Sequence, residues 1–308
     1  MKNYLSKGIK FLKDKDYRFN ILSNYGFYDS MDDEEFLKRK FKSNLKYDLN
    51  LLSPNTFSEK IQWLKINDRK DIYTILVDKY KVREYIKEKL GEEYLIPLIG
   101  IWDDPDDIDF NKLPDQFVLK CNHNSGLGMC ICKDKSKLDI SKVRRELKKG
   151  LKQDYYLTGR EWPYKNVSRK IIAEKYMKNE HETELKDYKF FCFNGEPKYC
   201  QVISDRSTNE TIDFFDMNWE HQEFIGLNNE NDSNEFTNSK YTIEKPVTFE
   251  KMKEFAYILA KNTKFVRIDF YEIERKLYFG EITFYPASGF GNFKPSEWNE
   301  KLGEMVNL

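Results

Sequence analysis

No charge of one sign dominates this chain: lysine and arginine together number 52, and so do aspartate and glutamate. Such a balance leaves no global field to recruit nucleic acid, which is therefore excluded as the default partner. Cysteine is scarce as well. The five present, Cys121, Cys130, Cys132, Cys192 and Cys200, are odd in number and show no paired C-x-x-C spacing. That argues against a disulfide framework or a zinc site and suits a reducing cytoplasm. No uninterrupted apolar run approaches the ~18 residues of a membrane span. The start Met1-Lys2-Asn3-Tyr4-Leu5-Ser6-Lys7 also lacks the apolar stretch of a signal peptide. These absences predict a soluble, cytoplasmic protein. The basic, aromatic stretch from Lys2 to Lys15 leaves room for peripheral contact with an anionic inner membrane face, beside the commoner reading of a solvated helix face. Internal repeats, long low-complexity tracts and the Walker pattern G-x-x-x-x-G-K-[ST] are missing too. What remains is a chain of 308 residues, long enough for one large domain or two ordinary ones.

Apolar periodicity divides the chain. Up to about Gly91 it reads as helical, with Asp32 to Asn44, Phe57 to Ile66 and Asp78 to Leu90 amphipathic. From Tyr94 onward short apolar runs predict strands over Tyr94 to Ile101, Phe117 to Lys120, Met129 to Cys132, Ile171 to Met177, Tyr188 to Phe193 and Pro197 to Ile203. Helices over Ser141 to Leu151 and Phe249 to Asn262 interrupt them, which gives an α+β or α/β layering. The Asn-, Asp- and Glu-rich stretch Leu227 to Ser239 reads as a solvated loop.

The most informative segment lies near the C-terminus. Val266 to Ile273 and Leu277 to Phe284 alternate apolar and polar residues and read as a hairpin across Glu274-Arg275-Lys276. With the turn centred on Arg275, Asp269 faces Glu281 and Arg267 faces Thr283 on one side, while Ile268, Phe270, Ile282 and Phe284 take the other. Two carboxylates roughly 5 Å apart across strands repel each other. A hard divalent cation is the expected remedy, although opposed carboxylates also occur on ordinary surface hairpins.

Other pieces are suggestive in combination. Phe117-Val118-Leu119-Lys120 leads into a small-residue loop, Cys121 to Gly128, and a returning strand. Ser125, Gly126 and Gly128 permit close backbone approach to an anion, and a lysine at the strand end supplies a point charge for phosphate; glycine-containing hairpin loops without such a duty are common. Ile171 to Met177 ends an apolar strand in Glu174-Lys175-Tyr176, which suits either a purine-facing edge or a plain buried strand. Asp187 and Lys189 share one strand face, where a surface ion pair would also fit. Asp78-Lys79 opens a helix, a favourable position for the aspartate.

The order of these pieces resembles the ATP-grasp fold. Asn55-Thr56-Phe57-Ser58-Glu59-Lys60-Ile61-Gln62-Trp63-Leu64-Lys65, Phe117 to His123, Asp187-Tyr188-Lys189-Phe190 and Phe279 to Pro286 resemble its TupA-like branch, from about Asn55 to the C-terminus. That branch is associated with teichuronopeptide and other cell-surface polysaccharide synthesis, and its members are often labelled glycosyltransferases. The resemblance implies an α+β ATP-grasp architecture with a helical region over residues 1–92, a lid subdomain over 93–177 and a core subdomain over 178–308. It implies ATP and Mg2+ as cofactors. Lys79 and Lys120 would meet the phosphates, with Ser125, Gly126 and Gly128 in the covering loop. Glu174, Lys175, Tyr176 and Met177 would form the adenine hinge, and Asp187 would lie near the ribose. Asp269, Glu281 and Thr283 would face the metal, with Arg267, Lys120 and Lys189 catalytic. Thr283 stands where the family usually has asparagine, which favours one metal over two.

The function so implied is an ATP- and Mg-dependent ligase that joins a carboxylate to an amine through an acyl-phosphate, on a cell-surface glycan or its precursor. A glycan kinase on the same fold is one alternative. A glycosyltransferase is another, to which the D-x-D triplet Asp107-Ile108-Asp109 could belong. A non-catalytic glycan-binding module would not need this set of lysines and carboxylates.

Overall fold

The computed structural model describes residues 8, 10–180, 184–206, 208–228 and 236–308. Helices lead: after helical residues 10–13 come α1 Lys15–Ser23, α2 Asp33–Leu45, α3 Phe57–Asn67, α4 Asp71–Val77 and α5 Val82–Lys89. Strands β1 Leu98–Trp102, β2 Phe117–Cys121 and β3 Met129–Cys132 follow, then α6 Ile140–Lys152, α7 Tyr155–Gly159 and β4 Ile171–Lys175. Next come β5 Asp187–Phe193, β6 Glu196–Ser204, β7 Thr211–Asp216, β8 His221–Gln222 and β9 Ile225–Asn228. Helix α8 Phe249–Ala260, β10 Phe265–Ile273, β11 Lys276–Thr283, β12 Asn292–Lys294 and α9 Glu297–Glu304 complete the order.

Two sheets carry the architecture: a four-stranded one in the order β1-β4-β2-β3 and a six-stranded one in the order β11-β10-β5-β6-β7-β8. In the smaller sheet, Phe117, Leu119 and Cys132 pack with Val143 and Leu147 of α6. The cationic residues of that helix are thereby left outside while its apolar stripe is buried. The larger sheet buries Phe190, Val266 and Ile268 on the face covered by Phe249, Met252 and Phe255 of α8, and Phe191, Phe193 and Phe265 on the other, where Phe57 of α3 packs. A third cluster joins Phe19 of α1 and Phe36, Leu37 and Phe41 of α2 to Phe290. That contact brings the first helices to the far end of the chain. Among the described residues no helix is long and apolar enough to cross a membrane. Part of the stretch from Lys2 to Lys15 lies outside the described residues.

Several expected elements differ for identifiable reasons. The helix expected over Asp78 to Leu90 begins only at Val82, as α5, because residues 78–81 form a turn in which the Asp78 carboxylate accepts the Tyr80 and Lys81 N–H groups and the Asn122 amide at 2.9, 3.2 and 2.8 Å. The strand expected from Tyr94 begins only at Leu98. Glu92–Tyr94 is a single 3-10 turn, and Pro97 contributes only its carbonyl, to Lys175 N at 2.9 Å. Strand β7 is not among the expected strands: its polar–apolar alternation runs only from Thr211 to Phe214, and Thr211 to Phe215 are all buried, polar residues included. Leu227 and Asn228, expected in a loop, belong to β9, and residues 229–235 of that stretch lie outside the described residues.

The hairpin β10–β11 reaches the expected pairing by a different route. Its turn has two residues rather than three, Glu274 and Arg275, both left-handed at φ 49° and 61°. From Ile273↔Lys276 to Phe270↔Phe279 the register is one residue off the expected one; a bulge at Gly280 then restores it, giving Asp269↔Glu281 and Arg267↔Thr283. Two departures cancel. Neither turn residue favours a positive φ, a conformation that costs about 1–2 kcal/mol per residue. Tertiary bonds support it: the Glu274 N–H donates to Asn179 Oδ1 at 2.8 Å and its carboxylate accepts Glu180 N–H at 2.7 Å. A Cβ at Gly280 would stand 2.9 Å from the Asp269 carbonyl oxygen and 3.1 Å from the Tyr271 ring. Gly280→Ala is therefore expected to cost roughly 1–3 kcal/mol in urea unfolding; an unchanged unfolding midpoint would show that the bulge tolerates a side chain.

Candidate functional site

Arg267 organises the polar face of the hairpin. Its Nε and one terminal nitrogen donate to the two oxygens of Asp269, both at 2.7 Å, and that same nitrogen reaches Glu281 Oε1 at 3.0 Å and Thr283 Oγ1 at 3.1 Å. Lys189, from β5, donates to Asp269 and to Asp187 Oδ1, and Arg206 pairs with the other Asp187 oxygen at 3.0 Å. The cation that offsets the Asp269–Glu281 repulsion here is thus a guanidinium. From the sequence a divalent cation is the expected remedy, with Arg267 already on the same face; the tertiary structure adds its reach to both carboxylates. Arg267, two residues before Asp269, lies on the same face and within reach of both carboxylates.

Room for a metal nevertheless remains at one carboxylate. Asp269 is buried with both oxygens engaged, whereas the Glu281 side chain is 39% exposed and its Oε2 has Lys79 Nζ only at 4.0 Å. Among the described residues no group of three or more His, Cys, Asp or Glu side chains is placed to hold a metal. A magnesium ion, which binds through one or two carboxylates together with nucleotide phosphates and water, fits this sparse oxygen set. Desolvation raises the Glu281 pKa, but Lys79, Arg267, Lys189 and Lys120 outweigh it and hold it at about 2. The group is a carboxylate at any physiological pH.

The small sheet contributes the opposing charges. Lys120 Nζ lies 2.6 Å from Glu174 Oε2, and Arg83 of α5 holds the other oxygen at 3.3 Å. Antiparallel register places Lys120 opposite Met129 and Val118 opposite Ile131. Met129 and Ile131, 49% and 52% exposed, therefore share the face of Lys120. Lys79 is drawn in from the break between α4 and α5: its N–H donates to Asn122 O at 3.1 Å and its Nζ to Asn124 O at 2.7 Å. Burial lowers the Lys79 pKa, against the attraction of Glu281.

The loop after β2 is anchored at both ends. Asn122 donates to Asp78 and Ser168, and Asn124 donates to Gln153 Oε1 at 3.0 Å. Gly128, at φ 70°, packs where a Cβ would meet the Gly150 Cα at 2.8 Å. Between the anchors Ser125 and Gly126 are exposed. His123 is buried and its Nε2 lies 3.1 Å from Gln153 O, a structural position.

Direct contacts thus join Asp187, Lys189, Arg267, Asp269, Glu281 and Thr283, with Lys79 4.0 Å from Glu281 and the Ser125 loop beside it, and the Lys120–Glu174 pair acts on Lys79 through its charges. Lys175 and Tyr176 instead line a shallow groove with Pro97, Pro114 and Lys133, and Met177 is half-buried just beyond the strand. Asp109 caps its own 3-10 turn by accepting Asn111 N–H at 3.1 Å, and Asp107 ends the preceding turn.

A cavity of about 630 Å³ opens from this charged face. Lys79, Ser125, Arg267, Glu281 and Thr283 line one part, and Tyr17, Asn20, Lys40 and Asn44 of α1 and α2 another. Glu161, Tyr155, Tyr164, Tyr285 and Ser288 complete it. Burial pushes the Glu161 pKa up and that of its buried neighbour Lys65 down. Lys65 donates to Gly159 O, Ser288 O and Ser288 Oγ at 2.7, 2.8 and 3.1 Å. Sequence reasoning missed Arg83, Lys40, Glu161 and this tyrosine set. No local pattern marks them, and only the fold brings α1, α2 and residues 155–164 to the hairpin.

A family model described as TupA-like ATPgrasp matches residues 59–307. No curated protein matches the chain by sequence. Among solved structures, the D-alanine–D-alanine ligase of Bacillus anthracis complexed with ATP is 20% identical with a TM-score of 0.43, over 75% of this chain and 63% of that one. The D-alanine–D-alanine ligase of Helicobacter pylori is 14% identical at 0.43, covering 82% of this chain and 70% of its own. N5-carboxyaminoimidazole synthase of Aspergillus clavatus, complexed with ADP and an aminoimidazole ribonucleotide, is 11% identical at 0.38, over 68% and 44%.

Proposed function

Because this chain belongs to the TupA-like ATP-grasp family, we propose that it is an ATP-dependent carboxylate–amine ligase acting on a cell-surface glycan or its precursor. The observation that carries this reading is the convergence of Lys79, Lys120, Lys189 and Arg267 around Glu281, all four of which lower its pKa. Such a density of positive charge beside one accessible carboxylate suits a polyphosphate with its magnesium. Lys79 and Lys120 would neutralise phosphate oxygens, under the loop of Ser125, Gly126 and Gly128. Residues 93–177 would act as the lid and 178–308 as the core, with 1–92 closing the acceptor side. Glu174 to Met177 would border the adenine, with the apolar Met129 and Ile131 covering one face of the ring and Asp187 near the ribose.

The chemistry follows from placement. A substrate carboxylate oxygen would attack the γ-phosphorus as the bond to the β-phosphate oxygen breaks, with Arg267 stabilising the equatorial charge. Magnesium, when bound at Glu281, would supply further charge neutralisation on the phosphates. The amine would then attack the acyl carbon, lose a proton and expel phosphate. Activation replaces a poor hydroxide leaving group by phosphate, and holding both partners in one cavity supplies the orientation that a bimolecular reaction lacks.

The test is ADP and phosphate release by the purified protein across a panel of uronic acids and amino acids. Turnover that requires both a carboxylate and an amine is the expected result. ATP turnover that needs neither would overturn it, and a stable phosphorylated product without an amine requirement would indicate a kinase.

A further inference from the structure

Lys40 stands out among the charged groups around the cavity. Its Nζ donates to Ser23 Oγ at 3.1 Å, and among the described residues it has no carboxylate partner. Desolvation alone lowers its pKa, to about 8. The other lysines of the site are compensated: Lys79 and Lys120 by Glu281 and Glu174, Lys189 by two aspartates, and Lys65 by three oxygen acceptors. A second group on the same wall is also incomplete. Asn20 Oδ1 is buried and has no hydrogen-bond partner among the described residues. An ammonium with only a hydroxyl for a partner and an amide oxygen with none are both unfavourably withdrawn from water, and Lys40 and Asn20 both line the cavity that Arg267 and Glu281 share.

We propose that α1 and α2 form an anion site in which Lys40 holds a carboxylate or phosphate of the substrate that is not the group being activated, with Asn20 accepting from a neighbouring hydroxyl or amine. This rests on the ligase reading, in which the reacting carboxylate lies beside Arg267. The substrate then carries an anionic group in addition to its reacting one, as a phosphorylated uronic acid does, or an amino acid that reacts through its amine. Neutral sugars and simple alkylamines lack it. The site also gives the helical N-terminal region a role in choosing the substrate. Nothing in the charged face of the two sheets requires these helices.

Calorimetry on the full chain decides the matter, with D-glucuronate, D-glucose 6-phosphate and D-glucose as probes, in the presence and absence of AMP-PNP and magnesium. At least one anionic sugar is expected to bind about tenfold or more tightly than glucose. Lys40→Gln should abolish that preference and Lys40→Arg should retain it, both with wild-type melting temperatures. Preference for glucuronate or for the phosphate identifies the anion. Equal binding of glucose and the anions, binding of neither anion, or an undiminished preference in Lys40→Gln would overturn the proposal. Should AMP-PNP fail to bind while the anions bind through Lys40, the nucleotide reading falls and the anion site stands.

Discussion

Glu281→Ala is expected to lower ATP turnover at least ~100-fold, the size of effect seen when one stabiliser of transition-state charge is removed. Glu281 is the hairpin carboxylate with an oxygen left over, since Asp269 is enclosed by Arg267 and Lys189. Removing it takes away the proposed metal ligand and leaves Lys79 without its nearest compensating charge. Lys120→Ala should reach a similar loss from the other sheet by exposing nucleotide phosphate to Glu174 without its cation. The two differ in binding. In calorimetry the magnesium dependence of AMP-PNP affinity should disappear in Glu281→Ala and persist in Lys120→Ala. Near-wild-type turnover in either folded variant would remove that residue from the site.

Arg267→Met is expected to cost about 3–5 kcal/mol of folding stability in addition to activity, because a buried charge cluster loses its central partner. Asp269 is 1% exposed and keeps Lys189, but its second cation and the bridge to Glu281 and Thr283 are gone. The facing carboxylates then have no cation that bridges the two. A divalent cation should substitute. Magnesium should therefore raise the melting temperature of Arg267→Met by several degrees more than that of the wild type, read by thermal unfolding with and without chelator. Equal shifts in the two proteins would mean that the guanidinium and the metal do not address the same pair of carboxylates.

Much of the charged face was legible before any coordinates. Lys120 ends β2 and Glu174 sits in β4 as the apolar runs suggested, and their contact across the sheet follows from antiparallel pairing. The Asp269–Glu281 and Arg267–Thr283 pairs were also read correctly, yet through a three-residue turn that is in fact a two-residue turn corrected by a bulge. Glu274-Arg275 carries no turn signature because Asn179 and Glu180 stabilise its backbone from outside the hairpin. Period two places Arg267 on the same face as those carboxylates, but its reach to both depends on its rotamer, which the sequence does not encode.

By itself the sequence determined which residues alternate on a strand or line a helix face, and so which lysines and carboxylates share a polar surface. Those periodicities are local, set by backbone geometry of two and 3.6 residues per repeat. The tertiary structure alone decided that α1 and α2 would meet the hairpin through Phe290, that Glu161 and three tyrosines would complete a cavity there, and that Lys40 would be left without a carboxylate. Contacts between distant segments depend on how the packed layers fit together, and neither hydrophobic period encodes that fit.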